Sequence, residues 1–197
     1  MPGGLNILSF VPRNGTRYGG VNIPDSGEWD SGVDASNKLE GMEGDVAFET
    51  AKTEAGPVSQ TRQWFRRCRL VRNSGATTLQ AGDAVEWTAA YVGRRVTKAD
   101  TANARCAGVV IDTLPSTGCI QNDMCLIVTE GPNKCTKATG DGGITELAEV
   151  MTTAAGVVAT VGTPGTNTEA FQFAARRVGI AMETVTTETK VLVYIGA

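Results

Sequence analysis

From residue 104 onward the chain is written in short apolar runs rich in valine and isoleucine: GVVI at 108–111, LIV at 126–128 and VLVYI at 191–195. Stretches of Thr, Ser, Gly, Pro, Asn and Asp separate them. Runs of this length, β-branched and bounded by turn residues, predict strands joined by hairpins rather than helices. GVVI and VLVYI lack polar alternation, which predicts cover on both faces, as in a sandwich or a small closed barrel. One stretch has helical spacing. In TELAEVMTTAA (145–155), Leu147, Val150 and Met151 fall at i, i+3 and i+4 behind Thr145 as a cap, which predicts a short helix.

The strand pattern occurs twice. Residues 104–131, ARCAGVVIDTLPSTGCIQNDMCLIVTEG, align on their glycine with residues 175–196, ARRVGIAMETVTTETKVLVYIG. Ala104, Arg105, Gly108 and Thr113 match Ala175, Arg176, Gly179 and Thr184, and LIVTEG lies opposite VLVYIG. Upstream, TLQAGDAVEW (78–87) precedes the first copy as TELAEVMTTAAG precedes the second, with Leu79 set opposite Leu147. The chain is therefore expected to form an all-β domain over 61–197, a small barrel or sandwich of two loosely repeated units at about 70–131 and 140–197. Gly108 and Gly179 suit a bulge or a close backbone approach. Asp112 and Glu183 hold equivalent places, which points to a shared strand-end requirement before it points to an acid–base pair.

Residues 1–60 differ: they carry ten glycines and few apolar runs, and read as an extended, glycine-rich arm preceding the β-domain. Such a segment orders only where something holds it. Phe10, Tyr18, Trp29 and Phe48 are the handles, either on a neighbouring surface or on the chain's own domain.

Charge divides the chain further. Residues 1–60 sum to −5, residues 61–105 to +6 and residues 106–197 to −4. The basic middle is densest in TRQWFRRCRLVRN, where Arg62, Arg66, Arg67, Arg69 and Arg72 accompany Trp64 and Phe65. Arginine interleaved with aromatics serves nucleic-acid backbones and bases, and equally serves carboxylates across protein interfaces. An overall pI near 5.1 and the absence of lysine from the stretch favour the protein interface over nucleic acid, with a plain solvated strand face as the third reading. The expected contact residues are Phe10, Arg13, Tyr18, Trp29, Trp64, Phe65, Arg66, Arg67 and Arg69.

Chemistry is scarce. The chain has no histidine, which removes Ser-His-Asp and Cys-His catalysis and the commonest general base, so no enzyme is expected. Its five cysteines show no CxxC or other zinc spacing and read as reduced thiols, with a Cys119–Cys125 disulfide left open. No cofactor or metal is expected. TKATGDGGI (136–144) and GTPG (162–165) lack the GK[ST] of a phosphate loop and read as turns. No apolar window reaches a membrane span, and the first twenty residues lack the basic and apolar regions of a secretory signal.

The succession of SGATTLQAGDAVEW, VTKADTANARCAGVVIDT, an apolar strand ending in glycine, and ARRVGIAMETVTTETKVLVYIG resembles the capsid decoration, or cement, proteins of tailed bacteriophages. Those proteins run from a strand with an AGD-type turn, here Ala81-Gly82-Asp83, through a TAD segment, here within Lys98 to Ile111. They end in a closing VGIA strand, here Val178 to Ile195. The resemblance covers about residues 68–197 and rests on short motifs; the first 60 residues depart from it. It implies a structural virion protein on the capsid exterior, made in the host cytoplasm. Its partner would be the major capsid protein, and the protein would sit on the shell as a homo-oligomer, a dimer or trimer. The arm would then cross between capsid subunits. A tail-tube or head–tail joining protein, and a nucleic-acid-binding β-domain using Arg62–Arg72, are the alternatives.

Overall fold

The computed structural model describes the strands at 16–18, 21–23 and 46–52 and residues 63–196 apart from 101–104, 113, 115 and 141, with side chains from Arg66 onward. Two short strands of the arm, β1 (Thr16–Tyr18) and β2 (Val21–Ile23), pair antiparallel with each other. The remaining strands belong to one continuous system.

Its first part is a closed five-stranded barrel. β4 (Gln63–Asn73) lies parallel to β6 (Arg95–Lys98), β6 pairs with β5 (Ala84–Trp87), β5 with β7 (Cys106–Val110), and β7 with β8 (Met124–Thr136). Pairing of β8 back onto β4, from Arg67↔Glu130 to Arg72↔Met124, completes the circuit. Of the two runs expected to be covered on both faces, GVVI is so covered, Gly108 to Ile111 being buried, and the neighbouring Met124 to Val128 are buried as well.

β8 is 13 residues long and outlasts the barrel. Its second half, Gly131 to Thr136, pairs with β12 (Lys190–Ile195), β12 with β11 (Arg177–Ala181), β11 with β9 (Glu149–Thr152), and β9 with β10 (Val158–Thr160). β10 returns to the end of β8 through the parallel bridge Lys137↔Val158, where the Ala138 N–H donates to the Val158 carbonyl at 2.8 Å. The strand order of the first circuit is thus repeated in the second, with β8 serving both. In β12 only Val191, Val193 and Ile195 are buried; Leu192 and Tyr194 between them are half-buried, so this strand alternates where its sequence does not.

Equivalent hydrogen bonds locate the repeat residue by residue. Leu79 and Cys119 exchange backbone bonds in the first unit as Ile144 and Val185 do in the second. The Gly82 N–H donates to the Val110 carbonyl as the Leu147 N–H does to that of Ala181. Leu79 therefore corresponds to Ile144, not to Leu147 as the sequence alignment sets it, and Leu147 takes the place of Gly82. Both glycines of the alignment do correspond. Each follows a bulge, at Val85/Glu86 against Gly108/Cys106 and at Arg177/Gly179 against Met151/Val150.

The predicted helix at 145–155 is absent. Residues 146–147 form a turn, β9 follows, and Ala154–Gly156 is a single 3-10 turn. The helical spacing of Leu147, Val150 and Met151 arises because a solvent-facing turn residue precedes a buried and a half-buried strand residue. The α-helix of the described residues is α1 (Asn167–Arg176), inserted between β10 and β11. Thr166 and Glu169 close a capping box at its start, the Glu169 N–H donating to Thr166 Oγ1 at 3.2 Å. At its end the Arg176 guanidinium donates twice to the Thr152 carbonyl, at 3.0 and 2.7 Å, pinning the helix to β9. All five cysteines are free thiols, so Cys119 and Cys125 are not bonded.

Candidate functional site

Strand β4 carries the arginine-rich stretch, and its pairing explains where each arginine goes. From residue 67 onward β4 is flanked by β8, whereas residues 63–66 have β3 (Val46–Lys52) as their pairing partner among the described strands. The first three residues of β3 lie beside residues 67–69, which β8 also flanks, and its last four form with residues 63–66 a two-stranded ribbon that runs on past the β8 pairing as the root of the arm. Trp64 and Phe65 lie on this ribbon; their side chains, and Phe10, Arg13 and Trp29 altogether, fall outside the described residues, while Tyr18 ends β1.

Alternation along β4 then separates the arginines. Arg66 is 2% exposed, and its Nη1 donates to Asp112 Oδ1 at 2.8 Å and to Asn133 Oδ1 at 3.1 Å. Asn133 Oδ1 also accepts the Asp112 N–H, Asn133 Nδ2 donates to the Val110 carbonyl, and Asp112 Oδ2 accepts the Lys134 N–H. Asp112 follows β7 of the first barrel, whereas Asn133 and Lys134 stand on the half of β8 that belongs to the second circuit. This cluster is a buried clasp between the two units, and it removes Arg66 from any outer surface. Arg72 is also buried, its Nη1 donating to the Asn122 carbonyl at 2.8 Å.

Arg67 is exposed. Arg69 is half-buried beside the hairpin of β5 and β6, with Nη1 at 3.4 Å from the Gly93 carbonyl and its guanidinium 5.9 Å from the centre of the Trp87 ring. The stretch therefore does not present five arginines to one side.

Sequence reasoning passed over the tip of that hairpin, TAAYVGR (88–94). Tyr91 is 46% and Val92 67% exposed, and Ala89, Ala90 and Arg94 are exposed with them. The tip is nonetheless rigid. The Tyr91 N–H donates to the Thr88 carbonyl, the Arg94 N–H to that of Tyr91, and the Thr88 N–H to that of Arg95. Ser74 and Thr88 share a hydroxyl hydrogen bond of 2.6 Å, and Arg95 stacks 4.2 Å from the centre of the Tyr91 ring. An apolar point held in one conformation and edged by arginine suits protein recognition, because little entropy is lost when it docks. Its signal in the sequence is a Tyr-Val pair followed by Gly-Arg-Arg inside a hairpin turn.

The paired carboxylates face main chain. Glu183 Oε1 accepts the Leu192 N–H at 2.7 Å, and Asp112 accepts that of Lys134, so both hold strand backbone. Among the described residues no three His, Cys, Asp or Glu side chains group as metal ligands, and no helix is long and apolar enough to cross a membrane.

No protein-family model and no curated protein matches the chain. Among solved structures it is similar to the head fiber gp8.5 N base in bacteriophage phi29, at 11% identity over 66% of this chain and 92% of that chain. The TM-score is 0.38, a likeness too slight to carry an argument.

Proposed function

We propose that this chain is a structural virion protein that binds the outer surface of an assembled phage capsid and stabilises it, with the arm crossing between capsid subunits. The observation that carries the reading is the β3–β4 ribbon, which ties the arm through backbone pairing to a closed barrel. A pull on the arm is thereby transmitted to the barrel along a strand ladder. The sequence resemblance over about residues 68–197 supports the same reading. In it Arg67 and the ribbon residues Trp64 and Phe65 contact the major capsid protein beside the arm residues Phe10, Arg13, Tyr18 and Trp29. Binding through barrel and arm together raises avidity, because the second contact is intramolecular, and it stabilises the shell because only assembled subunits present the site.

The reading involves no catalysis and no cofactor. The burial of Arg66 and Arg72 weighs against a nucleic-acid face on β4, since those two guanidiniums are committed inside. The test is co-sedimentation of the purified chain with undecorated capsids, with and without residues 1–60. Full-length protein is expected in the capsid pellet, and the truncated chain is expected to bind at least tenfold more weakly. Failure of the full-length chain to pellet would overturn the capsid reading, and undiminished binding after truncation would overturn the role of the arm. Incorporation into tails instead of shells would favour the joining or tube alternative.

A further inference from the structure

The two units meet tip to base. The turn at the tip of the β9–β10 hairpin, 153–156, seats on the base of the β5–β6 hairpin: the Gly156 N–H donates to the Ala99 carbonyl at 2.7 Å. There is no space for a side chain there, since a Cβ on Gly156 would stand 2.8 Å from Lys98 Cγ and 3.0 Å from the Ala84 carbonyl oxygen. The repeat provides a second base and a second tip. The base of β9–β10 is formed by Glu149 and Val161, whose bond from the Val161 N–H to the Glu149 carbonyl repeats that from Ala99 to Ala84. Among the described residues the two repeated units hold no third hairpin that would seat on it. The spare tip is the arginine-edged turn 88–94.

Both spare surfaces carry features that a solvent face does not need. At the tip, Tyr91 and Val92 are exposed. At the base, Leu147 stands two residues before Glu149, is 77% exposed, and is held at φ +69°, a left-handed conformation that a leucine rarely adopts. Unit one has Gly82 at that place. The charges are complementary too. Arg94 and Arg95 edge the tip, and Glu146 and Glu149 edge the base, where Glu149 is already paired with Arg177 at 3.0 Å and Glu146 is exposed.

We infer that a second copy of this chain is the occupant: its 88–94 tip docks on the β9–β10 base, Tyr91 and Val92 against Leu147, arginines against Glu146 and Glu149. The contact continues between molecules the joint already made within one. It is heterologous, so it builds a closed ring or an open string according to the rotation it imposes.

Complementation tests it. Val92→Asp spoils the tip and Leu147→Asp the base, both at exposed positions. In sedimentation or light scattering the full-length wild-type chain is expected to self-associate with rising concentration, and each variant alone to remain monomeric. An equimolar mixture of the two variants retains one good tip and one good base, and is expected to form a dimer and nothing larger. A wild type that stays monomeric, variants that associate as well as wild type, or a mixture that forms no dimer would each overturn the inference. Circular dichroism melts of each variant, expected to match wild type within about 2 °C, keep misfolding from imitating the result. Capsid binding is not read in this experiment, so its outcome is independent of the function proposed above.

Discussion

At Leu147 a leucine occupies a backbone position that the sister unit gives to glycine. Leu147→Gly relieves the positive-φ cost and is expected to raise stability by about 1 kcal/mol, or about 2–4 °C in Tm for a chain this long. The same change should weaken self-association, and an urea melt beside sedimentation would read the two effects with opposite signs. Gly179 shows the converse: a Cβ there would stand 1.8 Å from the Tyr194 carbonyl oxygen, so Gly179→Ala forces strand β11 away from β12. A loss of about 3 kcal/mol is expected, measured by urea unfolding. Gly108 and Gly179 were legible because the main-chain approach they allow is needed once in each unit. The Leu79–Leu147 alignment misled because identity of side chain was read where the backbone positions differ: Leu147 shares its place in the turn with Gly82, and Leu79 its bridge position with Ile144.

Buried thiols make a third prediction at this scale. Burial pushes Cys106 from its ordinary 9.0 up to about 12, against a smaller opposing pull from a hydrogen bond with the Gly108 backbone. Cys135 is raised by burial, and Cys119 by its hydrogen bond with Cys125 and by burial. A thiol whose folded pKa is raised contributes its full stability below the unfolded pKa. That stability is lost as pH rises from about 9 toward the folded value, because only the unfolded chain ionises. Each such thiol is expected to remove up to about 1.4 kcal/mol per pH unit across that window. Urea melts at pH 8 and pH 10 would show the decline, and Cys106→Ala should flatten its slope.

Among the elements, the strands were readable and the helix was not. GVVI and LIV announce buried strands because β-branched side chains fill both faces of a closed ladder. The helix α1 was missed because it has no apolar face to advertise: none of its ten residues is buried, and Phe171 is 78% exposed. Its only sequence mark is the Thr166–Glu169 capping box. The arginine stretch was read as one surface, yet period-two alternation turns Arg66 inward. Removing one of its partners by Asp112→Ala is expected to cost about 3 kcal/mol, since the buried guanidinium loses its 2.8 Å ion pair with that carboxylate. The pair Arg66→Met with Asp112→Leu should recover most of that, because Asn133 keeps main-chain partners at Val110 and Asp112. A double-mutant cycle in urea measures the difference.

For the molecule as a whole, the internal repeat was legible in the sequence and the way its two units are joined was not. Similar words in two places said that the strand set recurs; nothing in them said that one strand would be held in common. β8 completes the first barrel with one half and begins the second circuit with the other. The two units therefore cannot be parted like beads on a linker. Fraying β12 strips the second half of β8 of its partner and loosens the Asn133 end of the clasp, while opening β4 frees the first half of the same strand. Melting is expected as a single calorimetric transition whose van't Hoff and calorimetric enthalpies agree, with β8 amides among the slowest to exchange with solvent. Under tension applied at either end, the strand used twice means that neither half can yield alone.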